Sequence, residues 1–196
     1  MRLLELLGLL GPVAALGLLV MWWRRIPARP RALAVVGLML ALAASALAVV
    51  GGRLIWLGGS DGVEERLEAV TAWRWAALAC AVLLLSVANL VGREPASRSW
   101  GWLAGGWSLV IAGAVVAGLG GLLTDALSED PESGLATVAQ ITSDTVQFAA
   151  LGLGVVALAV GVAARRGGDA PDAGAQVVDL AGRAWRAYSA YRGPRR

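Results

Sequence analysis

The stretch of sequence that decides the fold is Val146-Gln-Phe-Ala-Ala-Leu-Gly-Leu-Gly-Val-Val-Ala-Leu-Ala-Val-Gly-Val-Ala-Ala164. It carries no charged side chain, and Arg165 follows it directly. The hydrocarbon core of a bilayer is about 30 Å thick and needs about 20 apolar residues to cross it as a helix. The stretch therefore predicts a membrane-spanning helix, because its apolar residues form one block rather than a short period.

Four further stretches have a similar length and composition. Together the five predicted spans cover residues 3–23, 32–57, 73–91, 103–123 and 146–164. Of the 196 residues 58% are hydrophobic and only 16% are charged, whereas a soluble domain has about a quarter charged. We therefore predict an all-α membrane protein, a bundle of about five transmembrane helices with an amphipathic helix at the C-terminus.

The charges of the connecting segments alternate in sign along the chain. Arginines follow the first, third and fifth spans, whereas acidic residues follow the second and fourth. Arginine-rich segments stay in the cytoplasm, so we expect the N-terminus outside and the C-terminus inside. Trp22-Trp23-Arg24-Arg25 follows the first apolar core without a small-residue cleavage site, so this helix is expected to remain as a span. Lysine is absent, which indicates a GC-rich bacterial genome and hence the cytoplasmic (inner) membrane.

Two segments of the chain resemble each other. Arg25-Ile-Pro-Ala-Arg-Pro-Arg31 opens the second span, and Arg93-Glu-Pro-Ala-Ser-Arg-Ser99 opens the fourth. Each is followed by a small-residue helix, a Gly-Gly pair, an acidic segment and a returning helix. The pattern predicts a tandem repeat of two-helix hairpins, although hairpins in an Ala-rich chain can also look alike by chance. The predicted units are an N-terminal helix (1–24), two hairpins (25–92 and 93–166), and a cytoplasmic linker with an amphipathic tail (167–196).

Polar residues at the start of the fifth span form a candidate ion site. Asp144, Thr145 and Gln147 lie where this helix meets the outer membrane surface, and Asp144 could pair with Arg53 or Arg74 on other helices. Charged groups deep inside a bilayer are costly and mark functional sites. Two interpretations stay open, an entry site for an ion or proton and a solvated helix turn with a structural ion pair.

Small residues recur at the spacing that lets helices pack closely. The residues expected at such contacts are Gly113, Ala117, Gly121 and Gly154. They predict packing within the chain or, alternatively, between copies in a homo-oligomer. Ser86 and Asn89 in the third span are expected to form hydrogen bonds between helices.

The C-terminal segment predicts a short amphipathic helix. Its apolar residues recur at helical spacing between Val177 and Tyr188, with charged residues between them. We expect this helix to lie on the anionic head groups of the inner leaflet, through Arg183, Trp185, Arg186 and Tyr188. Docking to a protein partner is the other interpretation.

Composition excludes several classes of function. Histidine is absent and Cys80 is the single cysteine, which excludes an internal disulfide, a zinc site of Cys and His ligands and a histidine-bound haem. Neither a phosphate-binding loop nor a catalytic spacing occurs, so we expect no enzyme and no cofactor. The arginines beside apolar spans explain the net charge of +3 without nucleic acid. The leading hypothesis is a non-enzymatic subunit or scaffold of a membrane complex, and the alternative is an ion or proton channel or transporter component.

Two stretches carry a resemblance to a known group of proteins. They are Leu6-Leu7-Gly8-Leu9-Leu10-Gly11-Pro12, and Asp130-Pro131 with Ala139-Gln-Ile-Thr-Ser-Asp144 and Ala150-Leu-Gly-Leu153. In these stretches the chain resembles short bacterial members of the MotA/TolQ/ExbB proton-channel group. The resemblance implies a component of a proton channel. It assigns no functional residue, because no motif of the group is complete here.

Overall fold

The fold is an assembly of long α-helices. The computed structural model describes residues 3–56, 62–91, 100–127, 135–164 and 173–191. Every element in these ranges is helical, which confirms the all-α prediction. The helices are α1 (Leu3–Met21), α2 (Ala28–Trp56), α3 (Val63–Leu90), α4 (Trp100–Leu127), α5 (Leu135–Ala163) and α6 (Ala173–Tyr191), with a 3₁₀ turn at Trp23–Arg25.

Four of these helices are long and apolar enough to cross a membrane. The apolar stretches are Ala28–Gly51, Val63–Leu90, Trp100–Leu123 and Leu135–Ala163. The corresponding stretch of α1, Gly8–Met21, is shorter. Length and composition thus support four of the five predicted spans, and α1 as the fifth remains a prediction.

Two helices extend beyond the predicted spans. α3 begins at Val63 and α5 at Leu135, whereas the predicted spans begin at residues 73 and 146. At 1.5 Å per residue α3 is about 42 Å long, more than the roughly 30 Å of a bilayer core. Glu64 and Glu65 occupy its first turn, where acidic side chains stabilise a helix N-terminus. Hydropathy detects only the apolar part of such a helix.

The bundle is organised around α5. This helix contacts α1, α2, α3, α4 and α6, and 67% of its apolar stretch is buried, against 11% for α4. α2 with α3 and α4 with α5 form the two predicted hairpins, each an antiparallel pair in close contact. In each hairpin a glycine of the predicted Gly-Gly pair contacts the returning helix, Gly51 at Val70 and Gly120 at Ser143. Domain boundaries and the repeat itself remain predictions.

α1 runs parallel to α5, and the two backbones come into direct contact. A methyl group built on Gly11 would lie 2.5 Å from the Cα atom of Gly152. Pro12, which is also buried, follows within α1. Glycine at position 11 therefore allows α1 to pack against the central helix.

α4 packs on α5 through three glycines spaced seven residues apart, Gly106, Gly113 and Gly120. Methyl groups built on them would lie 2.8 Å or less from Leu158, Leu151 and Ser143, respectively. A seven-residue period keeps contacts on one face when two helices cross at a shallow angle. On α5, Gly154 lies at the same contact, where a methyl group would meet Val110 at 2.8 Å.

The packing prediction for Gly121 is wrong within this chain. Nothing lies within 4 Å of a methyl group built there, although Gly113 of the same predicted series packs on α5. Ala117 between them is half-buried. A series with a spacing of four residues rotates by about 40° per step around a helix of 3.6 residues per turn, so Gly121 has turned away from α5.

The two ends of the bundle carry opposite charges. At one end, called here the arginine end, α1, α3 and α5 finish and α2 begins with Arg29 and Arg31 close to Arg24 and Arg25. The other end, called the acidic end, carries the glutamates of the first turns of α3. Trp22, at the arginine end, is only 2% exposed and packs in the core.

Candidate functional site

The candidate site lies toward the acidic end, where a cation and an acid from different helices approach each other. Arg74 projects from α3, and Asp144 from α5 is the acidic side chain that acts on it electrostatically. Asp144 shares its face of α5 with Leu151 and Val155, seven and eleven residues later, which are buried. Both charged side chains are half-buried. Of the two partners predicted for Asp144, the structure thus brings Arg74 to it.

Aromatic rings surround the guanidinium group of Arg74. Its Cζ atom lies 5.2 Å from the ring centroid of Phe148 on α5 and 5.6 Å from that of Trp75 on α3. Cations within about 6 Å of a ring centroid are stabilised by its electron-rich face. Phe148 and Asp144, one helical turn apart, therefore contribute two kinds of favourable interaction to the same cation.

A small cavity lies beside Arg74 at the junction of α1, α2, α3 and α5. The space open to the centre of a water molecule is about 20 Å³, which is enough for about one water. Ser45 is the other polar side chain among its lining residues. The apolar lining residues are Gly8, Pro12, Ala41, Ala44, Leu78, Phe148, Leu151, Gly152 and Val155.

The depth of the pair follows from helix geometry. Arg74 lies about 24 Å from Leu90 along α3, and Asp144 lies about 28 Å from Ala163 along α5, at 1.5 Å per residue. With Leu90 and Ala163 at one surface of a core of about 30 Å, both side chains would lie near the opposite surface. A long arginine side chain reaches head groups from such a depth. This position, with Asp144 acting electrostatically on Arg74, favours a structural role over a buried ion path.

Thr145 and Gln147 of the predicted ion site are not part of this group. Thr145 donates a hydrogen bond to the carbonyl of Ile141 in its own helix, at 2.6 Å. Gln147 is only 6% exposed and is absent from the cavity lining. Arg53 belongs to α2, and its side chain lies outside the described residues.

A second polar cluster links three helices toward the arginine end. The Asn89 amide donates hydrogen bonds to the carbonyls of Leu85, at 2.9 Å, and Leu158 on α5, at 2.8 Å. The indole of Trp107 on α4 donates to the hydroxyl of Ser86, at 2.9 Å. These bonds confirm the interhelical role predicted for Ser86 and Asn89. The part of Trp107 was not predicted, because the sequence does not show which face of α4 is turned toward Ser86.

The tail helix α6 is anchored to the bundle at its first turn. The indole nitrogen of Trp22 donates a hydrogen bond of 3.0 Å to the side-chain oxygen of Gln176. Beyond this turn α6 is exposed, and Arg183 forms an ion pair of 2.6 Å with Asp179. Among the residues predicted for the membrane surface, the rings of Trp185 and Tyr188 lie 6.1 Å apart in a tilted arrangement, and Arg186 is exposed beside them.

Comparisons with known proteins add no relative to this picture. No protein-family model matches the chain, and neither a curated protein nor a solved structure matches it. The resemblance to the MotA/TolQ/ExbB group therefore remains a prediction based on the two stretches that suggested it.

Proposed function

We propose that this protein is a non-enzymatic subunit or scaffold of a complex in the bacterial cytoplasmic membrane. The observation that carries the proposal is the uncovered face of α4. Gly101, Gly105, Ser108 and Ala112 recur along one side of this helix and are exposed. No atom of the described residues lies within 4 Å of methyl groups built on Gly101 and Gly105.

Small residues matter because lipid provides no hydrophobic force that would drive helices together. Helices associate in membranes where small side chains let their backbones approach. α4 already uses one such face against α5, at Gly106 and Gly113. The face with Gly101 and Gly105 has the same composition, and no helix of the part of the chain that the structure describes packs against it. A transmembrane helix of another subunit, or of a second copy, fits this face.

The proposed placement in the membrane follows the distribution of charge. With the arginine end in the cytoplasm, the N-terminus lies outside and the C-terminus inside. The exposed apolar face of α6, with Trp185 and Tyr188, then rests on the inner leaflet, and Arg186 faces its anionic head groups. The partners are thus the lipid bilayer and other membrane subunits, with no nucleic acid.

Co-purification tests the proposed interface. The tagged protein is extracted from its native membrane in mild detergent, and the mass of the complex is measured. We expect a complex larger than one chain, which Gly105→Ile disrupts. Gly118→Ile is the matched control, because Gly118 is also uncovered but points about 140° away from Gly105 around α4. A single-chain mass in the unmodified protein, or equal loss in both variants, would contradict the proposal.

An ion or proton channel, or a transporter component, is the second candidate. It is favoured by the Arg74–Asp144 pair beside a cavity that contains Ser45. Purified protein in liposomes would be tested for proton and cation flux. Flux that Asp144→Asn abolishes would replace the scaffold proposal, whereas no flux in either protein supports it.

A further inference from the structure

The turn between α1 and α2 carries a groove that combines an apolar wall with two cations. The groove has a volume of about 640 Å³ and is lined by Val20, Met21, Trp23, Arg24 and Arg25. Val20 and Met21 are exposed at the end of α1. Arg24 and Arg25 follow in the 3₁₀ turn, directly after Trp23. An apolar surface, an aromatic ring and cations thus succeed one another in that order.

Buried side chains on either side hold this turn in place. Trp22 is 2% exposed and Ile26 is 3% exposed, so the residues immediately before and after the 3₁₀ turn are inserted in the core. The backbone nitrogen of Arg25 donates a hydrogen bond of 2.9 Å to the carbonyl of Trp22. Arg24 and Arg25 therefore project from a fixed backbone, which lowers the entropy cost of binding a ligand.

The aromatic wall of the groove is also held in place. The guanidinium carbon of Arg31 lies 4.5 Å from the ring centroid of Trp23, and its Nη1 atom donates a hydrogen bond of 3.3 Å to the Trp23 carbonyl. Arg31 thus acts as a positioning residue for the ring. A tryptophan fixed between apolar and charged groups is suited to the head-group level of a membrane.

The charges at this turn have no counter-charge within the described residues. None of Arg24, Arg25 and Arg31 forms an ion pair there, in contrast to Arg183, which pairs with Asp179. Guanidinium groups bind phosphate oxygens through paired hydrogen bonds, and basic pockets beside transmembrane helices bind anionic head groups. Two cations beside an apolar wall therefore fit an anion that also has an apolar part.

We propose that this groove binds one anionic phospholipid, with its phosphodiester at Arg24 and Arg25 and its acyl chain along Val20 and Met21. This site is separate from the surface of α6, since neither Arg183 nor Arg186 lines the groove. It would fix a lipid at the point where the N-terminal helix joins the first hairpin. The inference does not depend on the proposed function as a subunit.

Lipid titration of the full-length protein tests the site. Delipidated protein in mild detergent is titrated with phosphatidylglycerol or with phosphatidylcholine of the same acyl chains, and bound lipid is counted by native mass spectrometry. We expect one equivalent of phosphatidylglycerol to bind more tightly than phosphatidylcholine. Arg24→Gln or Arg25→Gln should each weaken this binding about tenfold, equivalent to ~1.4 kcal/mol.

Arg29→Gln is the matched control, because Arg29 belongs to the same segment, is exposed and does not line the groove. It should leave the affinity close to that of the unmodified protein. Equal binding of both lipids, or an equal loss in the Arg29 variant, would overturn the proposal in favour of a non-specific charge effect. Displacement of the lipid by millimolar inorganic phosphate would overturn it in favour of a free-anion site. Unchanged melting of all variants shows that the turn is intact.

Discussion

Replacement of Gly11 by alanine should separate α1 from the central helix. A methyl group at this position would lie 2.5 Å from the Cα of Gly152 and 2.9 Å from its carbonyl carbon and oxygen. Carbon atoms in contact are ordinarily about 3.5–4.0 Å apart, so the overlap is about 1 Å or more. Because the neighbouring atoms belong to the backbone, no side chain can rotate away. α1 must therefore shift as a whole.

The size of the effect follows from two opposing contributions. Overpacking of this kind costs about 1–3 kcal/mol, whereas alanine in place of glycine within a helix stabilises by roughly 0.5–1 kcal/mol. Gly17→Ala in the same helix should produce only the stabilisation, since nothing lies within 4 Å of a methyl group there. The free energies of unfolding of the two variants should therefore differ by the whole overpacking cost. At about 2–4 °C per kcal/mol, Gly11→Ala should melt roughly 2–12 °C below Gly17→Ala.

The assay is thermal unfolding in mild detergent, followed by tryptophan fluorescence. Gly152→Ala provides a third comparison, because a methyl group there would lie 3.5 Å from the Gly11 Cα atom, an ordinary contact distance. It should melt close to Gly17→Ala although it changes the other side of the same contact. If Gly11→Ala melts as high as Gly17→Ala, the close approach of α1 and α5 is refuted.

Three further variants examine other contacts of the bundle. Gly120→Ala should lower the melting temperature because its methyl group would meet Ser143 Cβ at 2.7 Å, while the adjacent Gly121→Ala, with nothing within 4 Å, should not. Asn89→Leu removes the donors to Leu85 and Leu158 and should destabilise by roughly 0.6–2 kcal/mol in detergent melts. Thr71→Ser, at an exposed site of the same helix, should have no measurable effect. Gln176→Ala removes the acceptor for Trp22 and should speed trypsin cleavage after Arg183, whereas Ser189→Ala on the same helix should leave the cleavage rate unchanged.

Hydropathy was sufficient to predict the long helices, because a long apolar segment is stable in a membrane only as a helix. It did not show where α3 begins, since the first turn of this helix carries Glu64 and Glu65. The N-cap is Gly62 with φ 71°, a left-handed conformation that glycine adopts without strain.

Helix register was harder to predict because small residues are abundant in this chain. α4 contains glycine or alanine at both four- and seven-residue spacings, and only the partner helix selects between them. The series 113–117–121 and the series 106–113–120 share Gly113. Only the second series keeps all of its glycines in contact with α5, because the two helices cross at a shallow angle. For the candidate ion site, sequence alone left Arg53 and Arg74 as equal partners of Asp144. The choice depends on which faces of α2 and α3 are turned toward α5, and that is a property of the packed bundle.

Two polar contacts fix how α3 lies against α5. Asp144 acts on Arg74 toward the acidic end, and Leu158 accepts the hydrogen bond from Asn89 toward the arginine end. The two α5 positions are about 21 Å apart at 1.5 Å per residue. A slip of α3 by one residue would rotate its side chains by about 100° and would remove both contacts at once. In an apolar solvent the packing of aliphatic side chains discriminates weakly between such registers. These two contacts therefore select the register, and the glycines that let α1 and α4 approach α5 complete the bundle around it.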